Sequence, residues 1–75
     1  MYSVFHLYRH QDRWRLENEN GIEVGGIESS AGLVGSEYAK TLAIALEHLK
    51  KHCGVRIISV LPHPGGGFLI VAVQS

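Results

Sequence analysis

The sequence predicts a small α+β domain in which one antiparallel sheet of four or five strands packs against one helix, in the order β-β-(β)-α-β-β. Its 75 residues fit a single domain, and 45% of them are hydrophobic, which is typical of a folded chain. Segments rich in aromatic and β-branched residues occur in both halves of the chain and are separated by turn signals. One segment between them has helical periodicity.

The first two strands are predicted at Tyr2–Arg9 and Arg13–Asn18, where aromatic and β-branched residues are frequent. A two-residue turn at Gln11-Asp12 would join them as a hairpin and fix their register. The pairs on one sheet face would then be His10–Arg13, Tyr8–Arg15 and His6–Glu17. The opposite face would carry side chains suited to the core, namely Phe5, Leu7, Trp14 and Leu16.

A third, shorter strand is predicted at Ile22–Val24, after the turn signal Asn20-Gly21, because both turn residues tolerate a positive φ. Four glycines and two serines between Gly25 and Gly35 then predict a loop.

The helix is predicted from Ser36 to His52. The Ser36 hydroxyl can accept a hydrogen bond from a backbone N–H of the first turn, and Gly54 can adopt the left-handed conformation that ends a helix. At about 100° per residue, one helical face collects Tyr38, Leu42, Ala45, Leu46, Leu49 and Cys53. We expect this face to pack on the sheet and Ile44 to lie on the opposite side of the helix.

The last two predicted strands, Val55–Leu61 and Phe68–Val73, are apolar on both faces and are joined by a proline- and glycine-rich loop. A strand with one face in water alternates apolar and polar residues, whereas a strand buried on both sides does not. One helix can cover only one face of a sheet. The second face is therefore covered by strong curling of the sheet, by the loop Gly25–Gly35, or by another chain.

Coverage by another chain predicts a small interaction module that forms a homo-oligomer, most simply a dimer, and that binds another protein. Alternation divides each strand into two sets of side chains, but it does not say which set packs on the helix. The candidate interface residues are Ile44, Ile58, Val60, Ile70 and Ala72, with the opposite strand set as the other choice.

An alternative hypothesis places a nucleic-acid site on the first hairpin. Tyr8, His10, Arg13 and Arg15 would share one face, where rings can stack on bases and arginines can contact phosphates. The formal net charge of zero argues against it, because nucleic-acid binding draws on excess positive charge. We therefore favour a protein partner, including a second copy of the chain.

Two histidines and the one cysteine are the candidates for metal or thiol chemistry. His48 and His52 are four residues apart on the predicted helix and could contact one metal ion. A metal would need further ligands from elsewhere, such as His6, His10 or His63, and no spacing supports them, so we expect neither a metal nor another cofactor. Cys53 excludes an intramolecular disulfide and lies at the C-terminal end of the helix, where a thiolate is disfavoured.

No combination of residues indicates catalysis, and the only aspartate, Asp12, lies in a predicted turn. The longest stretch without charge, from Ile57 to Ser75, contains two prolines and three glycines, so we expect no membrane span. Neither a secretion signal nor a lipidation motif is recognised, and one cysteine suits a reducing compartment. These features predict a cytoplasmic protein, and the order of elements is common in small bacterial and phage domains.

Overall fold

The computed structural model of the protein describes residues 1–11, 13–27 and 36–74, with the backbone alone at 26–27 and 36–38. Five strands and one helix follow one another along the chain: β1 (Tyr2–His10), β2 (Arg13–Asn18), β3 (Glu23–Ile27), α1 (Ser36–His52), β4 (Val55–Pro62) and β5 (Phe68–Gln74). This order confirms the predicted α+β fold.

The strands form one antiparallel sheet in the order β3-β2-β1-β5-β4, so β1 lies at its centre. In the first hairpin His10 pairs with Arg13, Tyr8 with Arg15 and His6 with Glu17, as predicted. Gln11 has a φ of 58°, the left-handed conformation that a two-residue hairpin turn requires. Pairing of β1 with β5 joins the N-terminal and C-terminal hairpins into one sheet.

The core lies between α1 and one face of the sheet, which we call the closed face. Ala45 and Leu49 of the helix have no exposed surface. They belong to one cluster with buried side chains from four strands, namely Phe5, Leu7, Trp14, Leu16, Val55, Ile70 and Ala72. Thr41 is also buried, and its hydroxyl has no hydrogen-bond partner.

The position of the core corrects the choice of interface residues in the last two strands. Ile70 and Ala72 are fully buried on the closed face, so they belong to the core and offer nothing to a partner. Val60 also packs against the core on the closed face. Ile58, by contrast, is 49% exposed. The reason is a β-bulge after Ile57, which breaks the simple alternation that had placed Ile58 and Val60 on the same side.

The third strand is longer than predicted. It continues through Gly25 and Gly26 to Ile27, and it contains a bulge in which Val24 is the extra residue. The turn before it depends on Asn18, whose side-chain oxygen accepts hydrogen bonds from the backbone N–H groups of Asn20 and Ile22. Gly21 has a φ of 77°, as the turn prediction requires.

The helix has the predicted limits, and Gly54 follows it with a φ of 63°. Leu42, Leu46 and Cys53 pack against the core from the predicted helical face. The side chains of Ser36 and Tyr38, as well as the predicted loop over residues 28–35, lie outside the described residues.

The assignment of Ile70 to the core can be tested with two matched truncations. Ile70→Ala should lower the free energy of unfolding by about 2–5 kcal/mol, because it removes buried methyl groups and leaves a cavity. Ile44→Ala, at a position that is 46% exposed, should change it by about 0.5 kcal/mol or less. Urea unfolding of both variants measures the difference. Equal losses would contradict the assignment.

Candidate functional site

The sheet face away from α1, which we call the open face, carries a group of apolar side chains. Because Ile70 and Ala72 point to the closed face, Leu69, Val71 and Val73 point to the open face. Cross-strand pairing and the bulge add neighbours from β1 and β4. The apolar patch defined in this way consists of Val4, Ile58, Leu61, Leu69, Val71 and Val73.

No described element packs over the apolar patch, since α1 is the one helix in the described part of the chain and it lies on the closed face. Ile58 and Leu61 on the edge strand are 49% and 47% exposed, whereas the four other members are partly exposed. Of these six residues, Ile58 is an interface candidate predicted from the sequence. Leu61, Leu69, Val71 and Val73 belong to the opposite strand set, and Val4 is not among the candidates. The missing information was which set of side chains the helix covers.

The other half of the open face carries a hydrogen-bonded polar network. The Tyr8 hydroxyl donates to Glu17 Oε2 at 2.9 Å, and Arg15 Nη2 lies 3.0 Å from the same oxygen. Arg15 Nε is buried without a hydrogen-bond partner, and Glu23 Oε2 lies 3.7 Å from it. Glu17 is therefore the centre of this network.

Four aromatic rings form a row that crosses from the polar half to the border of the apolar patch. Ring centroids are 4.2 Å apart for His63 and His6 and 4.5 Å apart for His6 and Tyr8, with tilts of 38° and 31°. His10 meets Tyr8 edge-on at 6.4 Å. The two closer contacts mean that His6 has a neighbouring ring on both sides.

His6 lies at the centre of the sheet, where its backbone partners are Glu17 on β2 and Leu69 on β5. Its Nε2 atom is buried and has no hydrogen-bond partner. Burial lowers the pKa of His6 from its ordinary value, His63 lowers it further, and the Glu17 carboxylate opposes them. The uncharged imidazole is therefore the favoured form.

The loop between β4 and β5 positions His63 against His6. His63 Nδ1 accepts a hydrogen bond from the Gly65 N–H at 3.1 Å, and two backbone hydrogen bonds close the loop. Gly67 has a φ of 92°, and a side chain there would overlap the backbone of Leu7 and Tyr8. Since Nδ1 is an acceptor in this bond, the proton of neutral His63 is on Nε2.

The nucleic-acid candidates Tyr8, His10, Arg13 and Arg15 lie on the open face as predicted, in two cross-strand pairs. Near them is an open depression of about 310 Å³, lined by His10, Gln11, Arg13, Arg15 and Glu23. Glu17 and Glu23 balance the positive charge of Arg15, and the Tyr8 hydroxyl donates its hydrogen bond to Glu17. The pattern of a basic and aromatic patch is thus present, but its excess positive charge is not.

The metal candidates His48 and His52 stack with ring centroids 4.5 Å apart. His48 Nε2 donates a hydrogen bond to the carbonyl oxygen of Val24 at 3.1 Å, and this carbonyl belongs to the extra residue of the β3 bulge. Among residues 1–11, 13–27 and 36–74, no three histidine, cysteine, aspartate or glutamate side chains are grouped closely enough to hold a metal ion. The bond between His48 and Val24 joins the helix to the edge strand.

The remaining candidates lie away from the open face. Ile44 is exposed on the helix, on the other side of the molecule from the apolar patch. Cys53 is a free thiol of intermediate exposure that packs partly against the core.

Comparison with protein-family models, curated proteins and solved structures finds no match to this chain. In the part of the chain that the structure describes, no helix is both long enough and apolar enough to cross a membrane.

The contact between His48 and Gly25 can be tested with a double-mutant cycle. A Cβ atom at position 25 would overlap the His48 imidazole, so Gly25→Ala should displace the ring and break its bond to Val24. We expect a loss of about 1–3 kcal/mol in the free energy of unfolding. In a His48→Ala background the same change should cost nothing or stabilise the strand. A similar loss in both backgrounds would contradict the contact.

The polar network predicts an unusual titration of Tyr8. The hydrogen bond to Glu17 holds the pKa of Tyr8 above its ordinary value of 10.0, because ionisation would break the bond and place two negative charges together. Glu17→Gln should lower this pKa, as followed by NMR of the labelled tyrosine ring. An unchanged pKa in the variant would show that Glu17 does not control Tyr8.

Proposed function

We propose that the protein is a non-enzymatic interaction module that associates with a second copy of itself through the apolar patch. The observation that carries the proposal is a continuous set of aliphatic side chains on a sheet face that no described element covers. A contiguous apolar patch of this kind often marks a site of protein–protein contact. A contact between two identical faces is the commonest arrangement in oligomers.

The composition of the patch supports a second copy as its occupant. Its six members are all uncharged aliphatic residues, so the centres of two patches can face each other without repulsion between like charges, and the charged Arg56, the cross-strand partner of Val73, lies at the edge of the patch. The polar network and the ring row lie beside the patch and would form part of the rim. An apolar centre with a polar rim containing tyrosine and arginine is the usual composition of a protein interface.

The size of the open face indicates how strong the association should be. Five strands spaced about 4.8 Å apart, with about seven residues of about 3.3 Å each, give an area on the order of 500 Å² per copy. Two copies that cover this face would bury on the order of 1,000 Å² in total, near the lower limit for a specific interface. We therefore expect a reversible dimer whose population depends on concentration.

The charge of the polar half favours a protein over a nucleic acid. Arg13 and Arg15 are matched in number by Glu17 and Glu23 on the same half of the face. A phosphate backbone would therefore gain little from binding there. The rings of His6, Tyr8 and His63 also face one another, so few ring faces are left for bases to stack on.

The experiment that tests the proposal is molar mass by light scattering during size exclusion, over a hundredfold range of concentration. The wild-type protein should change from monomer to dimer as its concentration rises. Ile58→Glu should remain monomeric at every concentration, because dimerisation would bury a charge. Ile44→Glu is the matched control, since Ile44 has nearly the same exposure but lies on the helix.

Three results would contradict the proposal. A wild-type monomer at every concentration would mean that the patch does not bind a second copy. Dissociation by Ile44→Glu alone would place the interface on the helix. An Ile58→Glu variant that keeps the dimer mass but melts much earlier would identify Ile58 as a core residue.

A further inference from the structure

We propose that this self-association weakens as the pH falls below neutrality, because His6 lies at the border of the apolar patch and must remain uncharged when a second copy covers it. The inference rests on the proposed function and adds its regulation. Histidine is the side chain whose charge ordinarily changes in this pH range.

The position of His6 connects it directly to the patch. Its backbone partner on β5 is Leu69, a member of the patch, and Leu69 in turn pairs with Leu61 on β4. The buried Nε2 atom of His6 has no hydrogen-bond partner. A proton added to Nε2 would therefore place a charge and an unsatisfied donor at a buried position.

The titratable groups around His6 come from three elements. His63 in the β4–β5 loop contacts one side of the ring, and Tyr8 on β1 contacts the other. Glu17 on β2 is the backbone partner across the hairpin, and its carboxylate already accepts from Tyr8 and Arg15. The facing residue on β5, Leu69, carries no charge. Of these neighbours, Glu17 alone favours a charged His6.

The balance of these groups already favours neutral His6 in the single chain. Burial and the neighbouring His63 lower its pKa, and they outweigh the attraction of Glu17. A histidine whose pKa is lower in the folded state adds stability above its ordinary pKa of 6.5, and this stability is lost as the pH falls. Covering the ring with a second copy would extend its burial and lower the pKa further.

The size of the effect follows from linkage between binding and protonation. If association lowers the pKa of His6 by about one unit, full protonation weakens the dimer about tenfold for each histidine. Each of the two copies contributes one His6, so the dissociation constant should rise about a hundredfold in acid. The rise should begin at the pKa of His6 in the single chain, which lies below the ordinary histidine value of 6.5.

The test measures the dimer dissociation constant of the full chain by sedimentation from about pH 8 to about pH 5.5, the range in which histidine titrates. The wild-type constant should rise continuously as the pH falls, toward the limit of about a hundredfold that full protonation of both His6 side chains sets. The double variant His6→Gln with His63→Gln should keep a nearly constant affinity, because glutamine does not titrate. His52→Gln, which changes an exposed histidine on the helix, should behave like the wild type. Circular dichroism at each pH verifies that the chain stays folded.

A second measurement follows the histidine itself. NMR titration of the monomeric Ile58→Glu variant should give a His6 pKa below 6.5, and the wild-type protein at dimer-forming concentration should give a lower value still. The difference between the two values predicts the change in affinity with pH.

The outcomes separate this inference from the proposed function. A dimer at pH 8 whose affinity does not change with pH would overturn the inference and leave the dimer in place. A pH dependence that persists in the double glutamine variant would also overturn it, because another group would be responsible. A monomer at pH 8 at every concentration would overturn the proposed function and, with it, the inference.

Discussion

The contact of Ala45 and Leu49 with the sheet decides the character of both faces. Once the helix covers Phe5, Leu7 and the even-numbered residues of β5, strict alternation turns the intervening residues toward the other side. Some of these intervening residues are aliphatic and others polar, and a chain of 75 residues has one described helix to cover them. The aliphatic side chains that the helix does not cover therefore form an apolar surface on the open face. The proposed association is one way to remove that surface from water.

The central strand β1 divides this surface into two regions with different chemistry. Near its start, Val4 pairs with Val71 in an aliphatic environment. Near its end, Tyr8 pairs with Arg15 and donates to Glu17. His6 lies between them, with Leu69 of the patch as its backbone partner on β5 and the Tyr8 ring of the network beside it, so its surroundings combine the low polarity of the patch with the charge of Glu17. Its protonation state is therefore sensitive to what covers the face.

Local patterns in the sequence were sufficient for much of the fold. The register of the first hairpin followed from one turn, and Gly54 marked the end of the helix correctly. The positions that could not be predicted depend on contacts between distant segments. Gly25 was assigned to a loop because its place beneath His48 appears only when the helix crosses β3. Val60 was assigned to the wrong side because a single bulged residue reverses the pattern that follows it. The neighbourhood of His6 and His63 likewise depends on the pairing of β1 with β5, which local sequence does not determine.

The two outer strands share a feature that limits how the molecule can assemble. Both β3 and β4 contain a bulge, and β4 ends in Pro62, which has no N–H to donate. Irregular edges of this kind are poor templates for adding another strand, so sheets do not readily join side by side into a growing ribbon. Two copies joined through their open faces would each have used their apolar patch. Such an assembly is finite: it would stop at two chains instead of elongating into a fibre.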